Sequence, residues 1–314
     1  MSVLPSSNPA SPVPVAAALR SGGLWIDYGA CVARVRTPIA ALADQLGLLY
    51  HAYPLAQQRD FADYHVSVDY GRGLRRHLRP TCRFAIDGVE PFEPFPVDNA
   101  LPMFEWGVNW CFAQRGNQFV LLHAGVLARA GRAVVMAATP GSGKSTLTAA
   151  MMARGFRLLS DEFGVLDPAT GELRAMLKPV ALKNRSIDVI REFSADAVIG
   201  PVFRGTRKGD VAHLAPDLAS AATVTQNARP ALVIFPRFID GSGLELKPQP
   251  PEQAFSRLAF NSFNYALLGQ VSFDAVADVA AGCPAYELRY GRLDEAIRCI
   301  ADLLADAPGE PDVA

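Results

Sequence analysis

Apolar residues along the chain fall into short runs of two kinds, and the two kinds alternate. One kind is a continuous run of strand length: Val134 to Ala138, Phe156 to Ser160, Ala231 to Phe235 and Ala285 to Tyr290. Such runs read as strands buried on both faces. The other kind recurs at steps of three and four. Ile39, Leu42, Leu46 and Leu49 make one helical face after Thr37-Pro38, which reads as an N-cap and first-turn proline. Ala296, Ile297, Ile300 and Leu304 make another within Asp294 to Leu304. Leu147 to Arg154 reads as a helix with Gly155 at its C-terminal cap, and Ser186 to Phe193 as a further helix. Met103 to Ala113 is apolar nearly all round, with Trp106 and Trp110 one turn apart, and predicts a buried packing helix.

Weaker patterns fill the gaps. Leu24 to Tyr28, Cys31 to Arg36, Tyr64 to Tyr70 and Cys82 to Ile86 predict four strands in the first third of the chain. Phe163 to Leu166 and Glu172 to Met176 flank Asp167-Pro168-Ala169-Thr170-Gly171 and predict a hairpin. Lys178 to Asn184 predicts a strand whose lysines, Lys178 and Lys183, face solvent or else the phosphates or acceptor, and Leu244 to Pro248 predicts one more strand. Pro251 opens a helix whose core contacts are expected from Phe255, Leu258, Ala259 and Leu267. The resulting organisation is a tail over 1–18 and a small α+β unit over 19–115. A larger α/β unit over 116–304 and a second tail over 305–314 follow, both tails being rich in Pro, Ala and small polar or acidic residues.

Composition narrows the classes. The chain has 314 residues, half of them apolar, so a sizeable core is available. A net charge of −1 gives no overall attraction to nucleic acid or to an acidic membrane. No apolar run approaches the length of a membrane-spanning helix, and the start of the chain lacks the pattern of a signal peptide. The five cysteines are scattered and never paired as C-x-x-C, which predicts reduced thiols and a cytoplasmic location.

The candidate chemistry is concentrated after Val134. A strand feeds Thr139-Pro140-Gly141-Ser142-Gly143, which ends in Lys144-Ser145-Thr146 and a helix. Strand, glycine-rich loop, Lys-Ser and helix together predict a phosphate-binding loop, with Ala138 at the position where the pattern more often has glycine. Glycines let successive N–H groups turn toward phosphate oxygens, and the start of the helix adds more donors and a positive dipole end. Pro140, Gly141, Ser142, Gly143, Lys144, Ser145 and Thr146 are therefore the candidate nucleotide-binding residues. Lys144 would meet the β- and γ-phosphates, and the Ser145 hydroxyl Mg²⁺. One strand further on, Asp161-Glu162 ends an apolar run, as expected of acids that hold a metal or take a proton. His123 lies on an earlier strand that can return beside the loop, as a site residue or as a hydrogen-bonded core histidine. Residues 200 to 218 form a loosened basic segment, in which Arg204, Arg207 and Lys208 are candidates for acceptor binding. The basic stretch Gly71 to Arg79 reads as a solvated loop.

Leu122-His123-Ala124-Gly125-Val126, the loop itself, Arg154-Gly155-Phe156-Arg157-Leu158 and Asp161-Glu162 together resemble HPr kinase/phosphorylase. They are closer still to the HPr-kinase-related kinases of bacterial peptide-modification clusters. The resemblance covers about residues 120 to 190. It implies a P-loop kinase core of the HPr kinase and phosphoenolpyruvate carboxykinase type, with a mixed sheet behind the small α+β N-terminal unit. It also implies ATP and Mg²⁺ as cofactors, Asp161 as base and Glu162 on the metal, or those roles reversed, and His123 near the phosphates. The implied acceptor is a Ser or Thr hydroxyl of a peptide or small protein. HPr kinases are hexamers, so a homo-oligomer is a further implication. A kinase of a free small molecule such as serine, and a nucleotide-gated peptide-binding protein without transfer, are the competing expectations.

Overall fold

The computed structural model describes residues 15–56, 59–73 and 79–307, and among these residues the fold is built on two main sheets. The apolar run before the glycine-rich loop is β7 (Arg132–Ala137), buried at every position after its first. It lies parallel to β14 (Arg229–Phe238), whose centre is buried in the same way. β14 lies parallel to β16 (Ala285–Tyr290), and β15 (Glu245–Gln249) closes that edge antiparallel. On the other side β7 pairs antiparallel with β6 (Val120–Arg129). The turn between them holds Ala130 and Gly131 at φ 50° and 77°, the left-handed pair that a two-residue hairpin turn demands.

β6 is long enough to pair twice. Its C-terminal half takes β8 (Arg157–Ser160) and its N-terminal half takes β9 (Phe163–Leu166), which continues to β10 (Leu173–Arg174). Asp161 and Glu162 are the two residues between β8 and β9, so they interrupt the ladder opposite the His123–Gly125 stretch. The eight-stranded mixed sheet is covered by α4 (Lys144–Ala153) packed with α10 (Leu293–Asp306), and by α7 (Pro251–Phe260) packed with α9 (Gln270–Gly282). The continuous apolar strands follow from burial on both faces.

The first third folds as predicted into a second sheet, β1 (Leu24–Asp27), β2 (Val32–Arg36), β3 (Tyr64–Tyr70), β4 (Thr81–Ile86) and β5 (Phe95–Pro96) in that order. α3 (Ala100–Arg115) packs on β3, β4 and β5, and α2 (Ala40–Leu49) packs against α3. The buried side chains of both sheets form one continuous core. α3 joins them, with Phe112 edge-on to Phe163 at 5.4 Å. β11 (Val180–Lys183), β12 (Phe203–Thr206) and β13 (Gly209–Leu214) form a small third sheet, with α5 (Arg185–Phe193) following β11. No helix among the described residues is long and apolar enough to cross a membrane.

Several local expectations are corrected. The tail predicted over 1–18 stops short of α1 (Val15–Arg20), where Ala18 and Leu19 are buried, and the helix α10 runs into the predicted second tail as far as Asp306. Residues 1–14 and 308–314 of the two tails, and residues 74–78 of the basic stretch, lie outside the described residues. Thr37 does not cap α2. Its hydroxyl accepts from the Ile39 N–H at 3.1 Å and donates to the Val68 carbonyl at 2.7 Å, tying the helix approach to β3. Leu267 is exposed, not in the core. The segment 200–218 is no loosened loop in its first half. It is the β12–β13 hairpin, turned by Arg207-Lys208 and pinned by the Thr206 hydroxyl on the Gly209 carbonyl at 2.7 Å.

Candidate active site

The loop between β7 and α4 takes its shape from two glycines at left-handed φ, Gly141 at 87° and Gly143 at 89°. Gly143 also has no room for a side chain. A Cβ there would stand 2.8 Å from Phe238 Cβ and 2.9 Å from the Tyr290 hydroxyl. The Phe238 N–H donates to the Ser142 carbonyl at 2.9 Å, so the end of β14 holds the loop from beneath. α4 begins at Lys144, and its first N–H groups, having no intrahelical partner, point out of the helix start. A second close approach brings α4 onto β6. A Cβ on Gly125 would lie 2.6 Å from Thr148 Oγ1, so glycine at that position sets the distance between helix and strand.

These contacts bring the predicted chemistry together. Lys144 is buried, and its Nζ lies 3.1 Å from Asp161 Oδ1 while also donating to the Asp161 backbone carbonyl. Asp161 is itself only 5 % exposed, and its Oδ2 has no protein partner. The Ser160 hydroxyl accepts from the N–H groups of Glu162 and Phe163 at 3.3 and 3.0 Å, which shapes the Asp-Glu turn. His123 Nε2 stands 3.4 Å from Glu162 Oε2. Burial pushes the Glu162 carboxyl up, but the His123 hydrogen bond and the charges of Lys144, His123 and Lys183 outweigh it and hold it down at about 2. His123 thus lies beside the Asp161–Glu162 turn, with its ring against Phe263 at 5.3 Å.

Asp161 and Glu162 line a cavity of about 150 Å³ whose other walls are α3 and the small third sheet. Lys178 is the main departure from expectation there. It is buried, not solvent-facing, with Nζ 3.0 Å from Glu105 Oε2 and 2.7 Å from Asn109 Oδ1. Tyr50 donates to Glu105 Oε1 at 2.9 Å and completes the cluster. Glu105 and Asn109 carried a readable signal, two polar positions four apart in an otherwise apolar helix, but the helix reads as packing alone. Trp106, beside them, is 44 % exposed at the same cavity and is not a buried packing residue. Lys183 lines the cavity together with His213, whose buried Nδ1 has no partner and whose pKa burial pushes down. Of the three basic residues predicted for acceptor binding, Lys208 reaches the cavity, and Arg204 and Arg207 stay exposed on the outside of the same hairpin.

Pro140, Gly141 and Ser142 line a second and larger cleft on the other side of the loop. Ser145 and Thr146 sit half-buried in the first turn of α4. The donors suit Mg²⁺, which binds through one or two carboxylates and a hydroxyl and takes its remaining oxygens from phosphate and water. The buried Asp161 Oδ2, which has no protein partner, is an oxygen open either to a metal ion or to a proton, and Glu162 beside it is the second carboxylate. Among the described residues no group of three or more His, Cys, Asp or Glu side chains is placed to hold a metal ion. No family model matches the chain, and no curated protein matches it.

Proposed function

We propose that the protein is an ATP- and Mg²⁺-dependent kinase with a P-loop core of the HPr kinase type, working in the cytoplasm. Its proposed reaction moves the γ-phosphoryl group to a hydroxyl. The observation that carries this reading is the convergence of Lys144 from the loop with Asp161 from the β8–β9 turn, at the mouth of a cavity that the phosphate loop does not itself line.

The residues divide the work as follows. Loop N–H groups and the start of α4 bind the phosphates, and Lys144 leaves Asp161 to meet the β- and γ-oxygens. Ser145 and Glu162 would hold Mg²⁺, which would supply charge neutralisation for the transferred group. Asp161 takes the proton from the acceptor hydroxyl as that oxygen bonds to the γ-phosphorus and the bond to the ADP oxygen breaks. The alternative division puts Asp161 on the metal and Glu162, in contact with His123, as base.

The acceptor is a Ser or Thr side chain of a peptide or small protein, and α3 of the N-terminal unit forms one wall of its site. A cavity of about 150 Å³ also admits a free small hydroxyl compound, which makes that the second reading. The test is mass spectrometry of a pool of serine-containing peptides and small hydroxy compounds after incubation with Mg·ATP. One added phosphoryl group on an acceptor, reduced about 100- to 10,000-fold in rate by Asp161→Asn, is the expected result. ATP binding without transfer to any acceptor in the pool would favour a nucleotide-gated binding protein instead.

A further inference from the structure

The second cleft measures about 740 Å³, within the range of small-molecule sites, whereas the cavity at Asp161 falls below it. It opens from the outer side of the phosphate loop at Pro140 and Gly141. Its far walls are the C-terminal end of β14 and the last turn of α7. It shares no lining residue with the acceptor cavity. A triphosphate whose γ-end lies at Lys144 must leave the loop at its other end, and this cleft is the space that the loop residues open onto.

The walls have the chemistry of a stacking site. Phe260, at the end of α7, is 86 % exposed, and Phe238, at the end of β14, is 39 % exposed. One edge of Phe238 rests on the buried Tyr290, with ring centroids 5.6 Å apart, and the rest of its ring stays open to the cleft. Arg257 between them is already engaged, held by Glu287 at 3.1 Å and lying 3.8 Å over the Phe235 ring. It therefore stiffens the cleft floor and is not a mobile phosphate ligand. Base–aromatic stacking needs a π-face open to solvent beside a phosphate track, and that pairing is present here.

We propose that this cleft holds the nucleoside half of the nucleotide, with Phe260 and Phe238 supplying the surfaces on which the base stacks. The inference rests on the phosphate-loop reading above. Stacking uses the π-face that every base has, so both ATP and GTP are expected to bind.

The test is calorimetric titration of the full chain with Mg·ATP, Mg·GTP and Mg·tripolyphosphate, for the unaltered protein, Phe260→Ala, Phe260→Trp, Phe238→Ala and Lys144→Met. Phe260→Ala is expected to weaken ATP and GTP about 5- to 100-fold and to leave tripolyphosphate unchanged. Phe260→Trp is expected to retain nucleotide binding, and Lys144→Met to weaken all three ligands. Unaltered ATP affinity in both alanine variants, with Lys144→Met still weakened, would overturn the base site and spare the phosphate loop. Equal losses of ATP and tripolyphosphate in Phe260→Ala would also overturn it, since the effect would not belong to the base. Failure of the unaltered protein to bind either ATP or tripolyphosphate would overturn the phosphate-loop reading itself, and this inference with it.

Discussion

Lys144 Nζ and Asp161 Oδ1 are 3.1 Å apart in a nearly closed site, with side chains 9 % and 4 % exposed. The lysine also donates to the backbone carbonyl of Asp161. A residue suited to phosphate is thus parked on the residue suited to take a proton. The contact joins the start of α4 to the β8–β9 turn, and it serves the fold as well as the site.

Removing the lysine should therefore cost more than ligand binding. Lys144→Met leaves a buried carboxylate and a buried carbonyl without their donor, a change worth about 3–5 kcal/mol in comparable buried pairs. Urea denaturation should show a lowered midpoint in Lys144→Met. Asp161→Asn, which keeps an oxygen acceptor for the lysine, should lose clearly less.

The two loop glycines should respond differently to alanine. Both sit at left-handed φ, so each substitution carries a backbone cost of about 1 kcal/mol. Gly141 has nothing within 4 Å of a new Cβ, while Gly143 would meet Phe238 Cβ at 2.8 Å. Gly143→Ala is expected to lower the melting temperature and weaken tripolyphosphate binding more than Gly141→Ala, by thermal melts and calorimetry.

The Glu105–Lys178 pair should show strong coupling. Lys178→Met or Glu105→Leu alone strands a buried charge and should cost about 3–5 kcal/mol, while the double variant should recover most of that loss. A double-mutant cycle by urea denaturation measures it. Additive losses would mean that the pair is not a unit.

Glu162 sets a pH dependence with a definite sign. Its carboxyl falls from an ordinary 4.5 to about 2 in the fold, so the unfolded chain binds the proton more readily. The stability it contributes is present above about pH 4.5 and is lost as the pH falls toward about 2. About a third of the side chain is exposed, so salt should weaken the effect. His123→Gln should raise the Glu162 pKa, followed by NMR titration of its side chain, and should flatten the acid loss of stability.

Much of this site was readable as a string. The loop, its glycines, the lysine and the acid pair announce themselves because each depends on neighbours within a turn or two. β7 and α4 came out at nearly their expected bounds for the same reason. His123 was ambiguous, since its role depends on β6 pairing with β9 so that the histidine lies opposite Phe163. Lys178, two residues before β11, reads as solvent-facing or site-facing alike, because strand alternation separates one face from the other but does not say what covers each face. α3 covers one, and it turns Lys178 from a surface residue into half of a buried pair.

Local chemistry therefore belongs to the string of residues: which segment can wrap a phosphate, where a backbone must turn left-handed, which runs are buried. The enclosure belongs to the assembled sheets. Glu105 and Lys178 are 73 residues apart, and only the packing of α3 onto the third sheet makes them touch. The cavity at Asp161 and the cleft beside Phe260 are likewise spaces between elements. Their size and lining depend on strand order and helix placement, quantities that no periodicity within a single element encodes.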